Sequence, residues 1–170
     1  MTPARRWVHR WFGVIAVLML TACATRQPPP DAPDTLYWSG RLALNIASLP
    51  PQSLTAGFDL KSQAHSGELR LLSPLGSTLA KLQWTPGQAS LEQGGQVWQE
   101  TSLDALLIRL TGTALPMAAL IDWLQARPTE VEGWRVDLSQ RDQGKLWIQS
   151  TPATTVSVQP QVTLRLMLEP

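Results

Sequence analysis

The most constraining feature of this chain is a double change of hydrophobic period. From Trp38 to Ala47, Leu42, Leu44 and Ile46 share one parity, the pattern of a strand with one buried face. After Pro50-Pro51 the alternation resumes with Leu54, Ala56, Phe58 and Leu60, and Gly57 on the other face predicts a bend or bulge. Leu69 and Leu71 alternate with Glu68 and Arg70. Beyond Ser73-Pro74-Leu75-Gly76 the same period returns with Thr78, Ala80, Leu82 and Trp84. Pro86-Gly87 and Gly94-Gly95 mark turns on either side of Ala89 to Glu92, before Val97-Trp98. Alternating runs joined by short turn-forming connections predict serial antiparallel strands.

The period then becomes helical. Leu103, Leu106, Leu107 and Leu110 are spaced i, i+3, i+4, i+7, so they share one helix face, with Thr101 as the expected cap and Gly112 as the stop. Met117, Leu120, Ile121 and Leu124 repeat that spacing between Pro116 and Pro128. Two such short helices are marginal alone and must lay their stripes on a sheet. Strand patterns return over Trp134 to Leu138, Lys145 to Gln149, Thr154 to Val158 and Val162 to Leu168, with a hairpin turn at Asp142-Gln143-Gly144. The expected fold is mainly β: a strongly curved antiparallel sheet of nine to ten strands, forming an unclosed barrel with a short-helix lid inserted.

The residues ahead of the first strand have a different logic. Arg5, Arg6 and Arg10 precede an apolar run from Trp11 to Leu20, and Leu20-Thr21-Ala22 leads into Cys23, the sole cysteine. That is the layout of a bacterial secretory signal ending at a lipid-modifiable thiol, which predicts a signal peptide over 1–22 and lipidation at Cys23. Residues 23–35 contain Pro28-Pro29-Pro30 and Pro33 and are expected to be an extended tether rising about 3 Å per residue. The single domain then occupies 36–170. Without its three leader arginines the mature part is formally −2, which argues against a nucleic-acid partner. One cysteine excludes an internal disulfide, and one acyl chain holds a domain only marginally, so stable anchoring requires more than one.

The inward parity, with Leu42, Leu44, Phe58, Leu82 and Trp84 on the sheet, is almost free of charge. It fits a lipid cavity and a filled core equally well. A helix pair carrying Leu103, Leu106, Leu107, Leu110, Met117, Leu120, Ile121 and Leu124 favours the cavity, because lids can shift apart without breaking a sheet's ladder. A filled core would instead suit a structural or envelope-assembly lipoprotein that binds a protein. Pro74, Leu75 and Gly76 form a tight turn whose leucine either tucks onto the sheet or projects as an apolar probe. Arg41 lies on the parity opposite Leu42 and Leu44, which fits an outward arginine on a wet sheet face; the alternative is a rim cation that, with Arg109 and Arg127, meets an acidic partner surface. His65 is the only histidine after the leader, and Glu130 and Glu132 follow Pro128 in a loop, so no catalytic group, metal site or cofactor is expected.

Several of these pieces, in order, resemble the LolB family of outer-membrane lipoproteins. They are Trp38-Ser39-Gly40-Arg41-Leu42-Ala43, Leu72-Ser73-Pro74-Leu75-Gly76, Leu110-Thr111-Gly112 leading to Leu115-Pro116, then Leu120, Trp123-Leu124 and Pro128. The resemblance implies a monomeric receptor anchored by lipid on the periplasmic face of the outer membrane. Its partners would be the periplasmic carrier LolA, the acyl chains of cargo lipoproteins and the lipid of the membrane itself. Leu75 would be the loop leucine needed for membrane incorporation.

Overall fold

A computed structural model describes residues 34–151 and 160–170. The expected leader, Cys23, nearly all of the tether and the expected strand over Thr154–Val158 lie outside them.

Among the described residues, nine strands form one antiparallel sheet: β1 (Leu36–Ile46), β2 (Gln52–Ser62), β3 (Gly67–Leu72), β4 (Thr78–Thr85), β5 (Gln88–Gln93), β6 (Gln96–Glu100), β7 (Trp134–Asp137), β8 (Lys145–Ser150) and β9 (Val162–Leu168). Their order is β6-β5-β4-β3-β2-β1-β9-β8-β7. β1 is therefore the seam between two hairpin series. It pairs with β2 from Leu36↔Ser62 to Ile46↔Gln52, and with β9 from Gly40↔Leu168 to Ile46↔Val162. Two helices, α1 (Leu103–Thr111) and α2 (Met117–Leu124), lie in the connection that carries the chain from one edge strand, β6, to the other, β7. The antiparallel sheet with its inserted helix pair is as expected. β6 and β7 do not pair with each other, so the sheet is not closed into a barrel.

Side-chain parity decides which face is dry. Leu42, Ile46, Ala56, Phe58, Leu60, Ala80, Leu82, Leu91, Leu146, Ile148, Leu164 and Leu166 are buried, and they join Leu106, Leu107, Met117, Trp123 and Leu124 of the helices in the core. Burying one such side chain contributes about 1.5–3 kcal/mol. Opposite them on the ladder, Arg70 pairs with Asp59 at 3.0 Å and Lys81 with Glu68 at 3.4 Å on the wet face.

Two glycines are fixed by close approach. A Cβ on Gly40, at φ +154°, would lie 2.0 Å from the Met167 carbonyl oxygen, so only glycine lets β1 and β9 meet there. A Cβ on Gly67 would lie 2.2 Å from the Trp84 ring, which fills that space instead. The bend expected at Gly57 falls elsewhere. Gly57 stays in register with both Arg41 and Leu72, and the irregularity lies across the ladder between Leu71 and Leu72. α1 is capped by Ser102 rather than Thr101: the Ser102 hydroxyl accepts from the Ala105 N–H at 3.1 Å, and Gly112 closes the helix at φ +76°.

Candidate functional site

Between the inner face of the sheet and the two helices lies a cavity of about 350 Å³. Its sheet wall comes from six strands, with Leu42 and Leu44 of β1, Phe58 and Leu60 of β2, Leu69, Leu71, Leu82, Leu91, Leu164 and Leu166. Its other wall is Leu107, Leu110 and Thr111 of α1, Leu115 of the link, and Met117, Leu120 and Leu124 of α2. Among the described residues the only other polar ones on it are Gln52, Ser53 and Gln93, and none with a charged side chain lines it. Gln52, Ser53, Gln93 and Leu110 are exposed and mark its mouth. The buried Thr111 hydroxyl is satisfied locally, 2.9 Å from the Leu107 carbonyl and 2.8 Å from that of Thr113. Such a space can hold an unbranched apolar chain and offers nothing to a charged one.

Nine of the thirteen residues expected at a cavity or lid are on its wall: Leu42, Leu44, Phe58, Leu82, Leu107, Leu110, Met117, Leu120 and Leu124. Trp84 is buried over Gly67, away from the space. Leu106 is wholly buried in the core, Leu103 packs on that core at the start of α1, and Ile121 is half-buried on α2 off the cavity wall. The three arginines do not converge. Arg41 is exposed on the outer face of β1 and makes no ion pair among the described residues, Arg109 reaches Glu100 at 2.8 Å, and Arg127 reaches Asp122 at 2.6 Å.

The lid is pinned at both ends. α1 packs on β5 and β6. At the far end of α2 the Trp123 indole N–H donates to the Thr129 carbonyl at 2.8 Å, and the Thr129 hydroxyl donates to Asp122 at 2.7 Å. That hydroxyl, then Arg127, hold the Asp122 carboxyl below the usual range against the opposing effect of burial. From the turn before β8, Arg141 donates through Nε (3.1 Å) and through its terminal nitrogen to the Leu124 carbonyl. Arg141 carries no signal in the sequence, because its acceptor is a backbone carbonyl common to every residue type.

Leu75 projects. It is 97% exposed on a five-residue turn that closes on itself. Ser73 N–H donates to the Ser77 carbonyl at 2.8 Å, Gly76 N–H to the Ser73 carbonyl at 2.9 Å, and the two serine hydroxyls lie 2.7 Å apart. Gly76 takes φ +82°. A second leucine, Leu49 at the β1–β2 turn, is 99% exposed; its signal was Ser48-Leu49-Pro50-Pro51, a leucine stranded among turn residues. Among the described residues no helix is long and apolar enough to cross a membrane, and no group of three histidine, cysteine or carboxylate side chains is placed to hold a metal.

The family model "Outer membrane lipoprotein LolB" matches residues 36–164. The chain is 30% identical over 162 residues to the outer-membrane lipoprotein LolB of Bordetella petrii, covering 79% of this chain and 80% of that protein. It is 31% identical over 139 residues to the LolB of Chromobacterium violaceum, covering 76% and 74%, and 32% identical over 154 residues to that of Cupriavidus taiwanensis, covering 86% and 73%.

Proposed function

The chain belongs to the LolB family of outer-membrane lipoproteins, and from that premise we propose that it is a non-catalytic receptor anchored in the outer membrane, facing the periplasm, which takes acylated lipoproteins from the soluble carrier LolA and releases them into the bilayer. The observation that carries the reading is the uncharged cavity between sheet and helices. Its wall draws on β1 to β5, β9 and both helices, which supports a strongly curved sheet wrapped part-way round a ligand. A filled-core assembly lipoprotein would have packed side chains in that place.

Transfer of this kind needs a site that binds without trapping. Burial contributes about 0.8 kcal/mol per CH₂, so a pocket enclosing a whole acyl chain would rival the bilayer and stall release. At about 350 Å³ the cavity is near the small end of ligand pockets, some 300 to 1,000 Å³, and its mouth is open. Partial burial keeps the last step downhill. Cys23, after removal of residues 1–22, would carry the anchor, and residues 24–35 the tether. Arg41, exposed on the outer face, is assigned to the carrier's acidic surface, while Arg109 and Arg127, on the lid side, are paired with Glu100 and Asp122.

Leu75 is assigned to the bilayer. Burying it gains about 1.5–3 kcal/mol, too little to anchor a protein but enough to orient one already tethered. The test reconstitutes the lipidated full chain in vesicles and adds carrier loaded with tagged, acylated cargo. Cargo should appear in the vesicles, and Leu75→Glu should fold normally yet lose most of that delivery. Cargo that stays on the carrier with the wild-type receptor would overturn the reading; normal delivery by Leu75→Glu would remove the loop's role.

A further inference from the structure

The alternation of strands puts the β1–β2, β3–β4 and β5–β6 turns at one end of the sheet. That end has no ionisable side chain in any of the three turns: none occurs from Leu42 to Phe58, from Leu71 to Ala80, or from Gln93 to Gln99. The other end carries Lys61, His65, Glu68, Glu100, Asp142 and Lys145. Glu130 and Glu132 precede β7, which stands four strands from β2, or about 19 Å along the sheet. The uncharged end also holds the mouth of the cavity, because Gln52 and Ser53 open β2 and Gln93 closes β5.

Leu49 and Leu75 stand on this end, 99% and 97% exposed, on turns two strand spacings or about 10 Å apart across the sheet, with the Leu49 turn about 16 Å farther out along the strands. Both turns are braced from within. The Ser48 hydroxyl donates to the Pro50 carbonyl at 2.7 Å, and Ala47 N–H to the Gln161 carbonyl at 2.8 Å, just as Ser73 and Ser77 close the other turn. The β1–β2 hairpin also overhangs: residues 52–56 of β2 run beyond its last pair with β3, Gly57↔Leu72. We propose that this end is a two-point bilayer-docking face, in which Leu49 enters the lipid together with Leu75 and sets the cavity mouth against the membrane surface.

A lipid surface, rather than a protein, is the occupant favoured by two projecting apolar points on turns without charge; carrying a charge below the headgroups to the bilayer centre would cost about 2.5–3.5 kcal/mol, which these three turns never incur. Chain length agrees. The tether joins at Leu36, the opposite end of β1, so the anchor must run back along eleven strand residues, about 36 Å of contour. At about 3 Å per residue the twelve residues from Ala24 to Thr35 reach about 36 Å, and at most about 43 Å, which matches the length of β1 and brings this end towards the membrane that holds Cys23. The inference rests on the receptor reading above and adds a second contact to it.

The experiment uses the lipidated full chain, in which an added cysteine is the sole free thiol. Leu49→Cys, Leu75→Cys and, at the far end, His65→Cys are labelled with an environment-sensitive fluorophore and reconstituted in phosphatidylethanolamine–phosphatidylglycerol vesicles. Labels at 49 and 75 should shift to the blue and be quenched by spin-labelled acyl chains, while the label at 65 stays in water. In an unlabelled-at-49 background, Leu49→Glu should lower the quenched fraction at 75 about tenfold, since one apolar contact is replaced by a charge. A label at 49 that behaves like that at 65, or that shifts only when carrier protein is added, overturns the proposal while leaving cargo transfer untouched. Insertion of both labels without any cargo transfer would instead support the docking face and overturn the receptor function.

Discussion

The two walls of the cavity are held by different forces. The sheet wall is a continuous ladder in which β1 pairs along eleven positions with β2 and along seven with β9. The lid wall is two helices of nine and eight residues, held by the burial of Leu106, Leu107, Met117, Trp123 and Leu124 and by a few polar ties: Arg109 to Glu100 and Arg141 to the Leu124 carbonyl, with Asp122, Arg127 and Thr129 bonded among themselves in the turn that leaves α2. Opening a ladder breaks many hydrogen bonds together, whereas shifting the lid breaks few and uncovers apolar side chains that an entering acyl chain can cover again. A pocket that must admit and release a chain is built to advantage with one fixed wall and one that yields.

The largest expected effect lies on the fixed wall. Gly40→Ala forces a methyl group to 2.0 Å from the Met167 carbonyl oxygen, at a φ of +154° that other residues seldom adopt. We expect a loss of roughly 3 kcal/mol or more, seen in urea unfolding, because β1 and β9 cannot separate without disturbing the seam of the whole sheet. A loss under about 1 kcal/mol would mean that this seam yields as readily as the lid, and the contrast between the walls would collapse.

A smaller effect is expected on the yielding wall. Arg141→Met keeps the aliphatic stem but removes both donors to the Leu124 carbonyl. The cost should be about 1 kcal/mol, the scale of one partly exposed charged hydrogen bond. Hydrogen exchange should locate it: amides of α2 exchange faster while those of β1 and β2 do not change. Acyl-chain entry and exit should also speed up together. Equal acceleration of exchange in β1 would show the two walls to be one cooperative unit.

The two walls also differ in how far the sequence reveals them. Strand period is a local property, so Leu42, Leu44 and Phe58 announce the inner face, and the i, i+3, i+4, i+7 spacing does the same for Leu107 and Leu124. Depth within that face is not local. Trp84 shares the parity of Leu82, yet its ring is drawn over Gly67, two strand ends away in sequence, and leaves the wall. Leu106 and Leu107 belong to one stripe, and only the packing of α1 on β5 and β6 decides that the first is core and the second is lining. Whether the interior is hollow depends on how far the helices stand off the sheet, which alternation does not encode. The end pins of the lid are equally hidden, since Arg141 and Trp123 both bond to backbone carbonyls.

The smallest effect, and the sharpest probe of the lid alone, is acid. The Thr129 hydroxyl and then Arg127 favour the charged form of Asp122, and its pKa is lowered despite the opposing effect of burial. A carboxyl depressed in the folded state contributes stability that is present above its unfolded pKa of about 3.9 and disappears as pH falls through the folded value. Asp122→Asn should therefore cost about one degree in Tm at pH 7, the scale of an exposed charged pair, and this gap from wild type should close as the pH falls below about 4. Asp137, also lowered, by the Ser139 hydroxyl and backbone N–H, titrates identically in both proteins and cancels in the difference. Trp123 donates to the carbonyl of that same Thr129, so its emission should move with the lid as the carboxylate is protonated. A gap that stays constant down to pH 2 would mean that Asp122 holds the lid by shape rather than by charge, and the yielding wall would then owe its give to helix packing instead of to its polar pins.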